Sequence, residues 1–530
     1  MKNILKRYVA GGITVLMILS MSACGKKPEN AVDNSEDNKY LTAEYPLETD
    51  VVLKYWFGVG ELKQGGQFVQ TLEKNTGIKI EVINASTDVA QRKQQFSLLL
   101  ASNDKPDIME YQWGDPQYIS GGPDEAIKSK YIISLNNLLD TASPNFKKYL
   151  DENPHIDKEV RTISGQYYIY PFLRAYDENR IFQGPMMRKD WLDSLGLSVP
   201  ETIDDWYTVL KAFKEKKGAT APLTFIVDGI LPHSLFIGAY GTGFNFYVED
   251  GKVKYGQIEP GYKDFLTTMN KWYQEGLLDN NLTTLDVATF DAKMTNGTSG
   301  AANAGVGGGL GKWLGLMKDA NPDYDLIAVP YPSSEKGEKA MFNGISGIYG
   351  GSGAAISTDS KHPILAAKLL DYFYSEEGNT FSAFGTEGLT YEMIDGYPTY
   401  TDYVMKNPDG FSMSEILGRE TRATFGPCIQ SPLYFEQFAS LPQQQAAIKT
   451  WANSGESKHI MPFVLRTDAE EKEFSKMYSD INTYTRESMM GFISGQKSLS
   501  EYDEYISTLK SMKIERAIEI MQAAYDRYSK

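Results

Sequence analysis

Histidine and cysteine are scarce in this chain, four and two among 530 residues. His155, His233, His362 and His459 stand apart, with no H-E-x-x-H pair and no Cys/His cluster, so no metal site is expected. With Cys24 assigned to an N-terminal signal, Cys428 has no partner within the chain, and disulfides are not what holds the fold. Set between Pro427 and Ile429, Cys428 reads as a buried small apolar residue rather than a nucleophile. Basic charge is also short: 53 Lys and Arg face 69 Asp and Glu, a net charge of −16. That balance excludes nucleic acid as a partner, because phosphate backbones select Lys- and Arg-rich surfaces. The excess acid is spread along the chain and reads as solvated faces. Beyond the N-terminal segment there is no apolar run long enough to cross a bilayer.

What is present is apolar and aromatic, 42% and 12% of the residues, enough for two or three domains with real cores. The N-terminus has its own pattern. Lys2, Lys6 and Arg7 precede an apolar run from Val9 to Leu19, then "MSAC", Met21 to Cys24. A run of roughly 11 residues is too short for a stable bilayer-spanning helix but suits a cleavable signal. Small Ser22 and Ala23 directly before a cysteine mark a bacterial lipoprotein signal, although Met21 stands where such signals usually carry Leu. Residues 1–23 are therefore expected to be removed, taking the net charge from −16 to −19 with the loss of Lys2, Lys6 and Arg7. Cys24 would become the acylated (palmitate-bearing) N-terminus, anchored to the cell membrane on its extracellular side. Residues 24–49 are polar and mixed in charge and read as a flexible tether, with a reach of ~25–30 Å for about 25 residues.

From Val51 onward the elements alternate. "VVLKYWF" and "IKIEVI" are strands by β-branched and aromatic content, as is "PDIMEY". "QFVQTLEKNTG" and "DVAQRKQQFSLLLASN" between them carry helical spacing. Such a β-α-β-α-β run predicts a parallel, doubly wound sheet that binds ligand beyond the carboxyl ends of its strands, where Trp56 and Trp113 fall. Thr202 and Asp205 form a capping-box start for a helix through Lys217. Pro363 and Gly378 bracket a helix over "HPILAAKLLDYFYSEEG". The stretch from Asp468 is helical, with Phe474, Met477, Ile481, Thr485, Ser488 and Phe492 on one stripe, a core pattern. Trp191, Trp206 and Trp272 sit in similar amphipathic patterns and read as core.

The most glycine-dense stretch, "GVGGGLGKW" from Gly305 to Trp313, fails as a phosphate loop. A P-loop ending at Gly311-Lys312 needs Gly where Val306 stands and Ser or Thr where Trp313 stands, and no register satisfies G-x-G-x-x-G. "GTSGA", Gly297 to Ala301, misses the G-x-S-x-G elbow at its last residue. No local pattern singles out a glycosidase carboxylate pair. No cofactor is expected. An aromatic-rich secreted α/β protein suits sugars, whose C–H faces stack on aromatic rings.

"LKYWFGVG", "LEKNTGIKIEV", "KPDIMEYQWGD", "GQYYIYPF" and "MRKDWLDSLGLSVPETIDDW" are followed by "MTNGTSGAANAGVGGGLGKW", "KHPILAAKLLDYFYSEEG", "FGTEGLTYE" and a terminal "AAYDRY". In this order the chain resembles bacterial extracellular solute-binding lipoproteins of ABC importers, in the large oligosaccharide-binding branch related to maltose-binding proteins. The resemblance implies an α/β, two-lobed periplasmic-binding-protein-like fold, with a hinge and a ligand cleft between the lobes. One lobe would take 50–170 with 336–400, the other 171–335 with 401–530. It implies a monomer that captures an oligosaccharide and delivers it to membrane permease subunits, with no chemistry on the sugar. Residues implied at the ligand are Trp56, Glu61, Trp113, Arg174, His233, Trp313, Arg419 and Arg422. Some relatives carry a calcium loop where this chain reads "KEKKGATAP", which lacks the acidic ligands for it. Two other readings stay open: a surface glycan-degrading hydrolase or lyase, and a lipoprotein that senses ligand without transport.

Overall fold

The computed structural model describes residues 36–530, apart from 59, 61, 116–117 and 227–234. Cys24, Glu61 and His233 lie outside the described residues.

The expected β-α-β-α-β run forms element by element. Strands β1 (Val52–Phe57), β2 (Lys79–Asn84) and β3 (Ile108–Tyr111) are parallel, with β1 in the middle. Helix Gln67–Thr76 ends on Gly77 in the left-handed region, and Asp88 caps helix Val89–Ala101 by accepting from the Gln91 N–H. Two later strands, β4 (Tyr170–Leu173) and β9 (Tyr349–Ile356), add antiparallel pairings and complete the order β2-β1-β3-β9-β4.

A second sheet has the order β8 (Leu326–Ala328), β5 (Gln183–Arg188), β7 (Ala301–Gly305), β6 (Leu223–Thr224). Side-chain alternation on its central strands separates two cores. Met187 and Ala301 face one core with Trp206, Trp272 and Phe492. Met186 and Ala302 face the other with Trp313, Phe435 and Trp451. The first sheet has a core of its own, built on Leu53, Met109, Phe146 and Leu369. The Thr202–Asp205 capping box forms, as does the long C-terminal helix Asp468–Ser494, whose Phe474, Ile481, Thr485, Ser488 and Phe492 are buried.

Three expectations are corrected in detail. Residues 36–49 are not free tether. Tyr40 and Leu47 enter the first core, the Asp37 carboxylate meets His362 Nδ1 at 2.9 Å, and the Leu47 N–H donates to the Thr76 carbonyl at 2.8 Å. The few apolar residues of that polar stretch are what dock it. The cores also divide the chain differently from the expected bounds, because Ala340, Tyr391 and Tyr400 pack in the third core rather than the first.

The third correction concerns Gly378, which does not end the helix begun at Pro363. That helix stops at Tyr372, and Ser375 caps a new one, Glu376–Phe384, by accepting from the Gly378 N–H at 3.0 Å. A Cβ on Gly378 would lie 1.8 Å from the Tyr372 carbonyl oxygen. Alanine normally gains about 0.5–1 kcal/mol over glycine inside a helix. Here backbone overlap outweighs it, and Gly378→Ala is expected to lower stability by ~1–3 kcal/mol, the range for overpacking. Urea unfolding measures the sign.

Candidate ligand-binding cleft

Between the two sheets the chain runs side by side in three passes. The Leu173 N–H donates to the Cys428 carbonyl (3.0 Å) and the Gln430 N–H to the Leu173 carbonyl (2.8 Å). The Arg174 N–H donates to the Ile348 carbonyl (2.9 Å), and the Ser346 N–H to that of Arg180 (2.9 Å). This short ladder joins 173–180, 346–348 and 428–430. It forms the narrow connection between the lobes, the place where a hinge bends with least loss of packing.

Two cavities open beside it. The larger, about 370 Å³, is lined by Asn179, Phe182, Gly305, Gly307, Gly308, Gln430, Tyr434 and Phe438 among others. The smaller, about 240 Å³, lies at the end of the first sheet against Glu110, Tyr111, Gln112, Phe172 and Ser352. Arg174, Thr424 and Phe425 line both. The position matches the general rule that ligands sit beyond the carboxyl ends of the strands. The glycine-rich stretch, a π-helical turn over Val306–Gly311 rather than a loop, therefore does reach the cleft. At Gly307 a Cβ would lie 1.9 Å from the Phe438 ring, so only glycine lets the backbone pass there.

Polar groups of the cleft fall into two sets. The first is an ion pair with its hydroxyl neighbour. Glu110, at the end of β3, is ion-paired with Arg422 Nη2 and accepts the Tyr55 hydroxyl at 2.9 Å, with both charged side chains 3% exposed. Burial raises the Glu110 pKa despite the pull of Arg422 and Tyr55. Neighbouring Cys428 is buried as expected, and burial pushes its thiol up to about 12. The second set is open. Asn179 Oδ1 and Gln430 Oε1, both on the larger cavity, are buried acceptors without a hydrogen-bond partner among the described residues. Arg174 holds its guanidinium between the rings of Phe172 (5.0 Å) and Phe182 (5.1 Å), and desolvation by burial lowers its pKa.

Of the residues expected at the ligand, Arg174 lies squarely in the cleft, and Arg422 sits beneath it in the Glu110 pair. Arg419 lies elsewhere, over the Phe411 ring at 4.0 Å, on a separate 570 Å³ groove with Lys63 and Glu420. The tryptophans are a correction: all seven are buried, none more than 8% exposed. Trp56 and Trp113 pack on Phe96 in the first core, and Trp113 Nε1 donates to the Met109 carbonyl at 2.9 Å. Trp313 packs edge-on to Phe290, and its Nε1 donates to Asp291 Oδ1 (2.7 Å) while Lys312 pairs with Asp291 Oδ2 (2.8 Å). The tail of "GVGGGLGKW" thus clamps the segment to helix Val287–Thr295, and Gly305, Gly307 and Gly308 line the cavity. Trp191, Trp206 and Trp272 are core, as their spacing predicts.

The aromatic faces at the cleft are instead Phe172, Phe182, Phe425, Tyr434 and Phe438, which sequence reasoning missed. Phe425, 38% exposed, had one legible signal: an aromatic beside Gly426 in a stretch without helical or strand periodicity. Among the described residues no group of three or more His, Cys, Asp or Glu is placed to hold a metal ion.

An α/β chain with two main sheets, a narrow connection and an aromatic cleft at strand ends defines a two-lobed binding protein. Residues 62–380 match the family described as bacterial extracellular solute-binding protein, and the chain belongs to that family. It is 23% identical, over 96% of either chain, to the fructooligosaccharide ABC transporter substrate-binding protein FusA of Streptococcus pneumoniae serotype 4 (strain ATCC BAA-334 / TIGR4). It is 24% identical to lipoprotein LipO of Bacillus subtilis (strain 168), over 74% of each. In three dimensions it is similar to the alginate-binding protein AlgQ2 solved without calcium ion, with a TM-score of 0.78 at 24% identity, covering 91% of this chain and 100% of that one.

Proposed function

We propose that this protein is the carbohydrate receptor of an ABC importer, capturing an oligosaccharide between its lobes and passing it to a membrane permease. The observation that carries this reading is the cleft's pairing of ring faces with the two partnerless buried acceptors, Asn179 Oδ1 and Gln430 Oε1. A buried acceptor without a donor costs about 1–3 kcal/mol. Hydroxyl groups of a sugar supply donors to both while its C–H faces lie on Phe425, Phe182 and Phe438. The name of FusA, a fructooligosaccharide-binding relative, agrees in ligand class. The cleft holds and orients and does no chemistry on the sugar. Cys24 carries the lipid anchor on the extracellular side. The receptor acts as a monomer.

A thermal-shift screen with neutral and uronic-acid oligosaccharides is expected to find glycans that raise the melting temperature, because a ligand that binds only the native state stabilises it. At a concentration of 100 Kd the gain is about 2.7 kcal/mol. Release of new reducing ends or unsaturated products from those glycans would replace the receptor reading with an enzyme.

A further inference from the structure

Among the described residues Arg174 is the single charged residue on the larger cavity and, with the Arg422-bound Glu110, one of two on the smaller. Its interactions among the described residues are the faces of Phe172 and Phe182 and a weak electrostatic contact with Tyr434; no carboxylate there pairs with it. The two arginines buried most deeply among the described residues are ion-paired, Arg422 with Glu110 and Arg188 with Asp190. Removing a guanidinium from water without a counter-charge is costly, and such groups are ordinarily paired. Arginine keeps its proton even when burial lowers its pKa, so the charge persists at neutral pH. Two phenyl faces fix the plane of the guanidinium and leave its edge for a planar, two-oxygen partner.

We propose that Arg174 pairs with a carboxylate of the ligand, so that the receptor selects an acidic, uronate-containing oligosaccharide over a neutral one. The inference rests on the carbohydrate reading and sharpens it to a ligand class. Glu110 does not oppose it, because its charge is already taken up by Arg422 and the Tyr55 hydroxyl. Nor does the net charge of −16: at physiological ionic strength the Debye length is ≈ 8 Å, so the distant surface carboxylates are screened while a contact pair in the cleft is not. The partnerless acceptors Asn179 Oδ1 and Gln430 Oε1 take the hydroxyls of the same sugar, which separates the charge reader from the hydroxyl readers within one cavity.

The test compares trigalacturonate, trimannuronate and triglucuronate with their carboxyl-reduced neutral counterparts by calorimetry, on the unaltered protein and on Arg174→Gln and Arg174→Lys. At least one uronate is expected to bind the unaltered protein tenfold or more tighter than its neutral counterpart. A hydrogen bond to a charged group contributes about 1.5–3 kcal/mol, roughly 10–100-fold. Arg174→Gln is expected to bring the uronate-to-neutral affinity ratio close to one, a change of ratio that a merely structural role for Arg174 would not produce. Arg174→Lys keeps the charge without the fork and is expected to retain part of the preference. Neutral oligosaccharides binding the unaltered protein as tightly as the uronates, or Arg174→Gln keeping the preference, would overturn the assignment and leave the carbohydrate receptor standing. If no glycan of either kind binds, both fall together. Should Arg174→Gln not fold, the acid-to-neutral ratios of the unaltered protein and Arg174→Lys decide.

Discussion

Trp313→Ala is expected to cost about 3–5 kcal/mol of unfolding free energy and to leave ligand affinity nearly unchanged. The sequence places Trp313 at the end of a glycine-rich stretch of the cleft, where a stacking role would predict the reverse. The indole is fully buried in the third core, edge-on to Phe290 at 5.2 Å, and its Nε1 donates to Asp291. Truncation removes that hydrogen bond and leaves a cavity which the second sheet and helix Val287–Thr295 cannot easily close. The segment's tail would keep only the Lys312–Asp291 pair, 2.8 Å long and partly exposed, which contributes little by itself. Trp313→Phe is expected to lose less, because the ring volume is mostly kept and only the Asp291 bond is gone. Denaturant unfolding and calorimetry on the same two variants separate the roles. A stable Trp313→Ala that no longer binds would put the ring on the ligand after all.

The contrast shows what the sequence carries. Period and punctuation were legible: β1 to β3 with their two helices, the Thr202–Asp205 cap and the stripe of the C-terminal helix depend on spacing within one segment. The Gly378 reading failed because a glycine after an apolar helix has two meanings, a stop or a close approach, and only the position of the Tyr372 carbonyl decides between them. The cleft's location was legible from strand order, and Arg174 falls in it. Its walls were not. A tryptophan at a strand end faces ligand or core according to which side of the strand it leaves from, and Trp56 and Trp113 both turn toward Phe96. Phe172 and Phe182 enter the cleft only because the ladder of 173–180 with 428–430 brings β4 and β5 to one edge, a long-range pairing without a local signature.

The Glu110–Arg422 pair should behave unlike any surface ion pair. Both side chains are 3% exposed, and burial raises the Glu110 pKa even with Arg422 and the Tyr55 hydroxyl against it. The cost of desolvating the carboxylate therefore outweighs what its partners return. In that regime the intact pair adds little net stability, while removing one member takes a buried counter-charge from the other. Arg422→Met is expected to lose about 3–5 kcal/mol by leaving Glu110 buried without its ion-pair partner, and Glu110→Leu is expected to destabilise as well, by taking a buried counter-charge from Arg422. The double variant Glu110→Leu/Arg422→Met is expected to recover most of that loss, since a matched apolar pair of similar volume replaces a buried ion pair at little or no cost. The coupling between the two sites, read from urea unfolding of all four proteins, should then reach several kcal/mol, and additive losses would show that the charges do not depend on one another. Stability is not the whole role of the pair, because the two residues come from opposite sides of the narrow connection. Arg422 accepts at its carbonyl from the Phe425 N–H at 3.2 Å, and a Cβ on Gly426 would lie 2.9 Å from Arg422 Nε. The guanidinium thus ties the turn that carries Phe425 to the end of β3. A double variant that folds as well as the parent is accordingly still expected to bind glycan more weakly, with Phe425 released from the floor of the cleft.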